Sequence, residues 1–335
     1  TSCKISFAFL FIWNASIAQT PPSVTFQKSF GGHNYDLEFS LAKTKDKGLV
    51  ISASALSPEI PGNHGLSDVW IIKLNKNGAI QWQKCYGGSD TDVPGNVIPT
   101  KDKGFIIAGQ TNSNNGDVSG KHAATDIWVL KIDSLGVIQW QRCYGGSHFD
   151  YGGFIQQTTD GGYVIGGHSN SWDGDVTVNH GSLDIWVVKI DSSGNIQWQK
   201  SFGSAYDEFC YSIKQTPDNG YIAIGYTFGN VPDFHGGQDV YVVKLSSTGD
   251  LQWEKAYGGS NDEFGRDIIN TLDGGYIFTG TTSSQDGDVI GISKNKTTSD
   301  DVWLTKLSSA GTIQWQKTYG GSGTDNGNSI LNTND

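Results

Sequence analysis

The sequence predicts an all-β fold. It reads as a β-propeller of four-stranded antiparallel blades, five full blades and part of a sixth. Three observations lead there. Tryptophan recurs as Trp82, Trp140, Trp198, Trp253 and Trp315, at intervals of 58, 58, 55 and 62 residues, and self-similarity on that scale marks a repeat architecture. Short apolar runs alternate with Gly/Asn/Asp turns inside each interval. No stretch beyond the N-terminus carries a 3.6-residue apolar period, so strands fill the repeat.

Residues 150–202 show the elements in order. A first strand runs over Phe154–Thr158, and the turn Asp160–Gly162 follows. A second strand, Tyr163–Gly167, leads into a long polar loop. The third strand, Asp184–Asp191, is apolar on both faces, as suits a strand covered by a neighbouring sheet on each side. Ser192–Asn195 has tight-turn chemistry. The fourth strand, Ile196–Phe202, alternates Ile196, Trp198 and Phe202 with Gln197, Gln199 and Ser201, so one face is wet. Buried inner strands and a half-exposed outer strand make a propeller blade. A second set of tryptophans, Trp70, Trp128, Trp186 and Trp303, holds the third strand, with Tyr241 substituting in the fourth repeat. Phasing of nine of the eleven tryptophans argues for a packing role.

Along the chain, residues 1–18 read as a secretory signal, with Lys4, an apolar core Ile5–Trp13 and a small-residue cut after Ala18. That core is too short to span a bilayer. The propeller is expected over 19–335. Val24–Phe30 is expected as a lone outer strand, with Phe26 in the tryptophan's place, completing a last blade that lies outside this sequence. Full blades are expected at about 36–86, 92–144, 150–202, 207–257 and 262–319, and residues 325–335 open a sixth. The chain is expected to continue beyond Asp335. Cys85 and Cys143 occupy equivalent places in neighbouring repeats, too far apart to bridge, and Cys210 lies in a first strand, so free thiols are expected. The net charge of −11 argues against nucleic acid and anionic membrane as partners. The chain is expected to be a monomer without a membrane span.

The run GGSHFDYGGFIQQTTDGGYVIGGHSNSWDGD, followed by LDIWVVKIDSSGNIQWQKSFG, resembles the β-propeller repeats, of SBBP type, in secreted bacterial proteins. It is similar above all to surface or secreted Bacteroidetes proteins that end in a type IX sorting domain. The resemblance covers residues 24–335. It implies an exported or cell-surface propeller and no particular activity. The segment KIDSSGNIQW also resembles the tryptophan-docking repeats of quinoprotein dehydrogenases, but their quinone-binding floor has no counterpart here.

Several residue sets are candidates for chemistry. His64, His122, His180 and His235 each precede by four residues the Asp that opens a third strand, Asp68, Asp126, Asp184 and Asp239; in the fifth repeat Asp301 has no such His. They are read as intrablade His–Asp hydrogen bonds pinning a loop, because ligands of one shared metal must converge within about 2–2.5 Å of it. Acidic residues recur after the glycines that follow each fourth strand, a Gly pair everywhere except at Gly203-Ser204: Asp36, Asp92, Asp150, Asp207, Asp262 and Asp325. They are expected either as a Ca²⁺-holding ring at the channel mouth or as acceptors within their own turns. Asp173, Asp175, Asp286 and Asp288, with Asn114 and Asp117, raise the same pair of readings, although the twelve-residue calcium-loop spacing is absent. The phased lysines Lys73, Lys131, Lys189, Lys244 and Lys306 are expected to be solvated flanks. The residues that do not repeat are the better binding candidates: Trp172, Phe228, Phe234, His148 and Phe149, all in loops, where exposed aromatics anchor proteins or sugars.

No nucleophile elbow, phosphate loop, CxxC or HExxH occurs. The function expected is a non-catalytic interaction or adhesion module. It would use the face built from loops 55–67, 111–125, 169–183, 227–238 and 281–300, with a protein or glycan as partner. The alternatives are a carbohydrate-binding or glycoside-hydrolase-like domain using Trp172 and the mouth carboxylates, and a structural spacer.

Overall fold

The computed structural model describes residues 26–290 and 300–333. Its described residues form five four-stranded antiparallel sheets, each with its strands side by side in chain order. The sheets span Leu37–Tyr86, Asp92–Tyr144, Asp150–Phe202, Glu208–Tyr257 and Glu263–Tyr319. These are the propeller blades read from the sequence, and each hands its chain directly to the next. The leader at 1–18 lies outside the described residues. First strands of successive blades contact one another directly, so they form the inner edge and the fourth strands the outer one.

In blade three the third and fourth strands run Asp184–Ile190 and Ile196–Phe202. The first strand starts earlier than the apolar pattern indicates, at Asp150, because it crosses a bulge. Every first strand carries such a register shift, around Phe39, Gly95, Gly153, Tyr211 and Arg266. A bulge leaves one residue unpaired and re-aims it.

Third strands lie sandwiched between blades. All seven residues of the third strands are buried in blades one to four. Val187, Tyr241 and Val243 share one core cluster with Ile185, Cys210 and Tyr221, which fills the space between blades three and four. Trp128, Trp186 and Trp303 are buried, and each indole N–H donates to a fourth-strand glutamine, Gln141, Gln199 and Gln316, at 2.8–2.9 Å. Where Tyr241 replaces the indole, its hydroxyl bonds Glu254 in the glutamine's place. Trp70 is equally buried, but its N–H has no partner among the described residues. Cys85, Cys143 and Cys210 are free and buried.

The fourth-strand tryptophans behave differently. Trp82, Trp140, Trp198 and Trp253 are half-buried and Trp315 is exposed. Each of the first four lies over a turn glycine of the next blade, Gly136, Gly194, Gly249 and Gly311. Those glycines have φ of 73–84°, and a Cβ there would come within 2.7–3.2 Å of the indole. Glycine is therefore required twice, for its backbone and for the close approach. Tyr86, Tyr144 and Tyr257 tighten the same junctions by donating to the carbonyls of Gly136, Gly194 and Gly311 at 2.6–2.7 Å.

The lysines on the third strands are not solvated flanks. Lys73, Lys131, Lys189, Lys244 and Lys306 are buried. Each pairs at 2.8–3.0 Å with the aspartate of its own blade's first turn, Asp46, Asp102, Asp160, Asp218 and Asp273. The first four also donate to a fourth-strand glutamine. A long apolar stem and a satisfied ammonium make such burial tolerable.

Residues 26–30 are not strand, yet Phe26 lies over Gly78 as the tryptophans lie over their turn glycines. Residues 325–333 are not strand either. The Asp325 N–H still donates to the Asp300 carbonyl at 2.8 Å, the bond that Asp92 makes to Ser67 and Asp150 to Thr125.

Candidate functional site

Two constellations stand out at the loop end of the blades. The first is acidic. Asp92 and Asp150 are buried at the start of their first strands and accept the N–H of Gly88 and Gly146 at 2.7 Å. Asp36 and Asp325 make the same bond to Gly32 and Gly321. In blades four and five this place belongs to Glu208 and Glu263, which accept Ser204 and Gly259 at 2.7 Å. Asp207 and Asp262 stand one residue earlier. Asp207 instead accepts the Leu183 N–H at 3.1 Å. Glutamate keeps the bond because its extra methylene still reaches the amide four residues back.

Asp92, Glu208, Glu263 and Asp325 each face the aspartate that opens the preceding blade's third strand, Asp68, Asp184, Asp239 and Asp301, across Gly87, Gly203, Gly258 and Gly320. Asp68, Asp126, Asp184 and Asp239 are buried, and Oδ2 of each accepts both the backbone N–H and the ring Nδ1 of His64, His122, His180 and His235, at 2.7–3.1 Å. Their Oδ1 atoms have no hydrogen-bond partner among the described residues. Burial is the main cause pushing Asp150 and Asp239 up to about 6 and Glu208 up to about 7.

These carboxylates stay in separate blade junctions. Asp173 and Asp286 accept the N–H groups of Ser147 and Ser260 at 2.7–2.8 Å. Asp175 and Asp288 accept Gly145 and Gly258 at 3.2–3.4 Å. Among the described residues no group of three or more His, Cys, Asp or Glu side chains is arranged to hold a metal ion.

The second constellation is aromatic and does not repeat. Trp172 is exposed and its ring lies 4.1 Å from that of His148. Phe149 is exposed and stacks on Tyr151 at 5.9 Å. From Tyr151 a seam of rings crosses the inner strands through His168 (5.4 Å), Phe209 (4.8 Å) and Tyr226 (4.8 Å). Phe228, exposed at the loop end, contacts both Phe209 and Tyr226. On the far side Tyr226 meets Tyr211 and Phe264, and the Arg266 guanidinium lies 4.6 Å from the Tyr211 ring centre. Burial holds His168 at about 4, so it is neutral at physiological pH.

Of the loop aromatics singled out from the sequence, the structure thus exposes Trp172, Phe149 and Phe228, each against a further ring, and leaves His148 half-buried against Trp172. Phe234 instead turns toward the core between blades three and four and lines a cleft of about 410 Å³ with His235, Lys255 and Asp288. Sequence reasoning missed the inner seam of Tyr151, His168, Phe209, Tyr211, Tyr226 and Phe264. The available signal was the variation at each first-strand bulge residue and at the residue two places before it. Blade two has Val93 and Gly95 there, whereas blade four has Phe209 and Tyr211.

No family model matches the chain, and no curated protein matches it. Among solved structures it is similar to a protein of unknown function from Bacteroides caccae, at 11% identity over 84% of this chain and 81% of that one, with a TM-score of 0.46. It is also similar to a member of the DUF4221 family from Bacteroides vulgatus, at 11% identity over 86% of each chain, with a TM-score of 0.42. Levansucrase from Bacillus subtilis is similar at 9% identity, over 83% of this chain and 84% of that one, with a TM-score of 0.39. No helix among the described residues is long and apolar enough to cross a membrane.

Proposed function

We propose that this propeller is an exported, non-catalytic recognition module that binds a protein partner through the loop face of blades three and four. The carrying observation is the group of exposed rings at Trp172, Phe149 and Phe228, each backed by a further ring. Solvent-facing aromatics held rigid from behind lose little entropy on docking and are the side chains that dominate protein interfaces. The acids of the same face are already engaged within their own junctions, which favours recognition over acid–base chemistry. Residues 1–18 act as the export leader in this reading, and residues 19–335 as one array of blades.

The test is a triple variant, Trp172→Ala with Phe149→Ala and Phe228→Ala. Adhesion of the purified chain to bacterial and host-cell surfaces is measured beside its melting temperature. Each anchor is expected to contribute about 2 kcal/mol, roughly thirtyfold in affinity. Adhesion should be lost while melting is unchanged. Undiminished adhesion of the triple variant overturns the reading.

A further inference from the structure

A cleft of about 530 Å³ lies between blades four and five at the turn end, opposite the loop face, and Pro217, Asp218, Gln252, Trp253, Tyr276 and Ser309 line it. That volume is typical of small-molecule sites, about 300–1,000 Å³. Its apolar wall is the ring pair Trp253 and Tyr276, 6.2 Å apart and inclined at 56°. The Trp253 N–H is held by the Ser309 carbonyl at 3.1 Å, which fixes the indole. Lys244 also lines the cleft, but its ammonium is spent on Asp218, Gln252 and the Leu245 carbonyl.

Three groups remain for a ligand. The Asp218 carboxylate is half exposed. The Tyr276 hydroxyl and the Gln252 amide N–H₂ have no partner among the described residues. Tyr276 is pushed up to about 12 by burial and by nearby Asp218, so it stays a donor.

The repeat explains why the space is open here. Elsewhere the residue after the first-turn threonine ties adjacent blades together. The Lys101 N–H donates to Gln157 at 2.9 Å and its ammonium to the Thr158 and Thr159 carbonyls at 3.3 Å. The Thr159 N–H donates to Gln215 at 2.9 Å. Pro217 stands at that position in blade four, and proline has neither an N–H to donate nor a side chain to reach across, so the tie between blades four and five is set back to Asn270, whose amide donates to the Gln215 carbonyl at 2.9 Å.

We infer that this cleft binds one neutral sugar unit of a glycan. The C–H face of a pyranose ring suits the Trp253–Tyr276 wall. Its hydroxyls can accept from Tyr276 and Gln252 and donate to Asp218. An anionic ligand would meet Asp218, no unspent ammonium and a chain of net charge −11. The site is separate from the loop face and stands independently of the function proposed there.

The test uses the full chain on an array of neutral and acidic glycans, followed by calorimetry with the neutral oligosaccharide retained. Tyr276→Phe keeps the wall and removes the hydroxyl, and should weaken binding at least tenfold. Gln252→Ala, at an exposed position, should weaken it as well, and Trp172→Ala should leave it unchanged. Three results each overturn the inference: no neutral glycan bound at millimolar concentration, retention of acidic glycans only, or both Tyr276→Phe and Gln252→Ala binding like the parent chain.

Discussion

Asp184 and Glu208, on successive blades, bury carboxylate oxygens that face each other across Gly203. A Cβ on that glycine would lie 2.6 Å from Asp184 Oδ1 and 2.2 Å from Glu208 Oε2, so the two oxygens are within about 5 Å. Two carboxylates this close out of water resist ionising together. Glu208 is accordingly pushed up to about 7, by burial first and with Asp184 adding to it, against the hydrogen bonds from Ser204 and Thr227.

The sign of the pH dependence follows from that shift. The folded-state value of Glu208 lies above its ordinary value, so its contribution to stability is fully present below about pH 4.5 and is lost as pH rises through 7. Asp150 and Asp239, near 6, act in the same direction. The Lys-paired Asp102, Asp160 and Asp218, held at about 2, act oppositely but only as pH falls below 4. Scanning fluorimetry should therefore show a melting temperature a few degrees higher at pH 5 than at pH 8. Glu208→Gln should raise the pH 8 value and flatten the slope. A melting temperature that climbs from pH 5 to pH 8 contradicts this.

The two tryptophan sets should differ in cost. Trp186 is fully buried, and Trp186→Ala should destabilise by about 3–5 kcal/mol. Trp198 keeps part of its ring in water, and Trp198→Ala should cost about 1–2 kcal/mol, since less area is removed from solvent. Urea midpoints of the two variants decide it. Equal midpoints would mean that both sets are core.

Lys189 and Asp160 should respond asymmetrically. Lys189→Met leaves a half-exposed aspartate that water can solvate. Asp160→Asn keeps the turn but strands a buried ammonium among neutral acceptors. Removing the counter-ion of a buried charge costs about 3–5 kcal/mol, so Asp160→Asn should be the more destabilising of the two in urea titration.

Gly194→Ala tests the glycine beneath an indole. The backbone there has φ 84°, and the new methyl would meet Trp140 at 3.0 Å. The left-handed backbone alone costs about 1–2 kcal/mol. The Trp140 fluorescence maximum should move as the ring is displaced. Gly161→Ala, at φ 89° with nothing within 4 Å, should carry the backbone cost only.

The blades were legible because their signals are local. A third strand such as Asp184–Ile190 is apolar on both faces whatever surrounds it, and the turn Ser192–Asn195 needs only its own residues. Lys189 was misread because lysine carries the same letter in water and in a cavity. Its burial depends on Asp160, 29 positions away, being brought to within 2.9 Å. Glu208 reads in the sequence only as the neighbour of Asp207, because which of two adjacent acids reaches back to an amide is not visible there.

The sequence by itself determined the repeat, the four strands of each blade and the positions that do not repeat, since periodicity and turn chemistry are properties of neighbouring residues. Only the tertiary structure decided which side chains meet. Bulges at Tyr211 and Arg266 turn two inner strands into an aromatic seam. The junction between blades opens a cleft where Pro217 cannot tie across it. Such outcomes depend on distances between residues some 50 positions apart, and it is the stacking of one blade on the next that sets those distances.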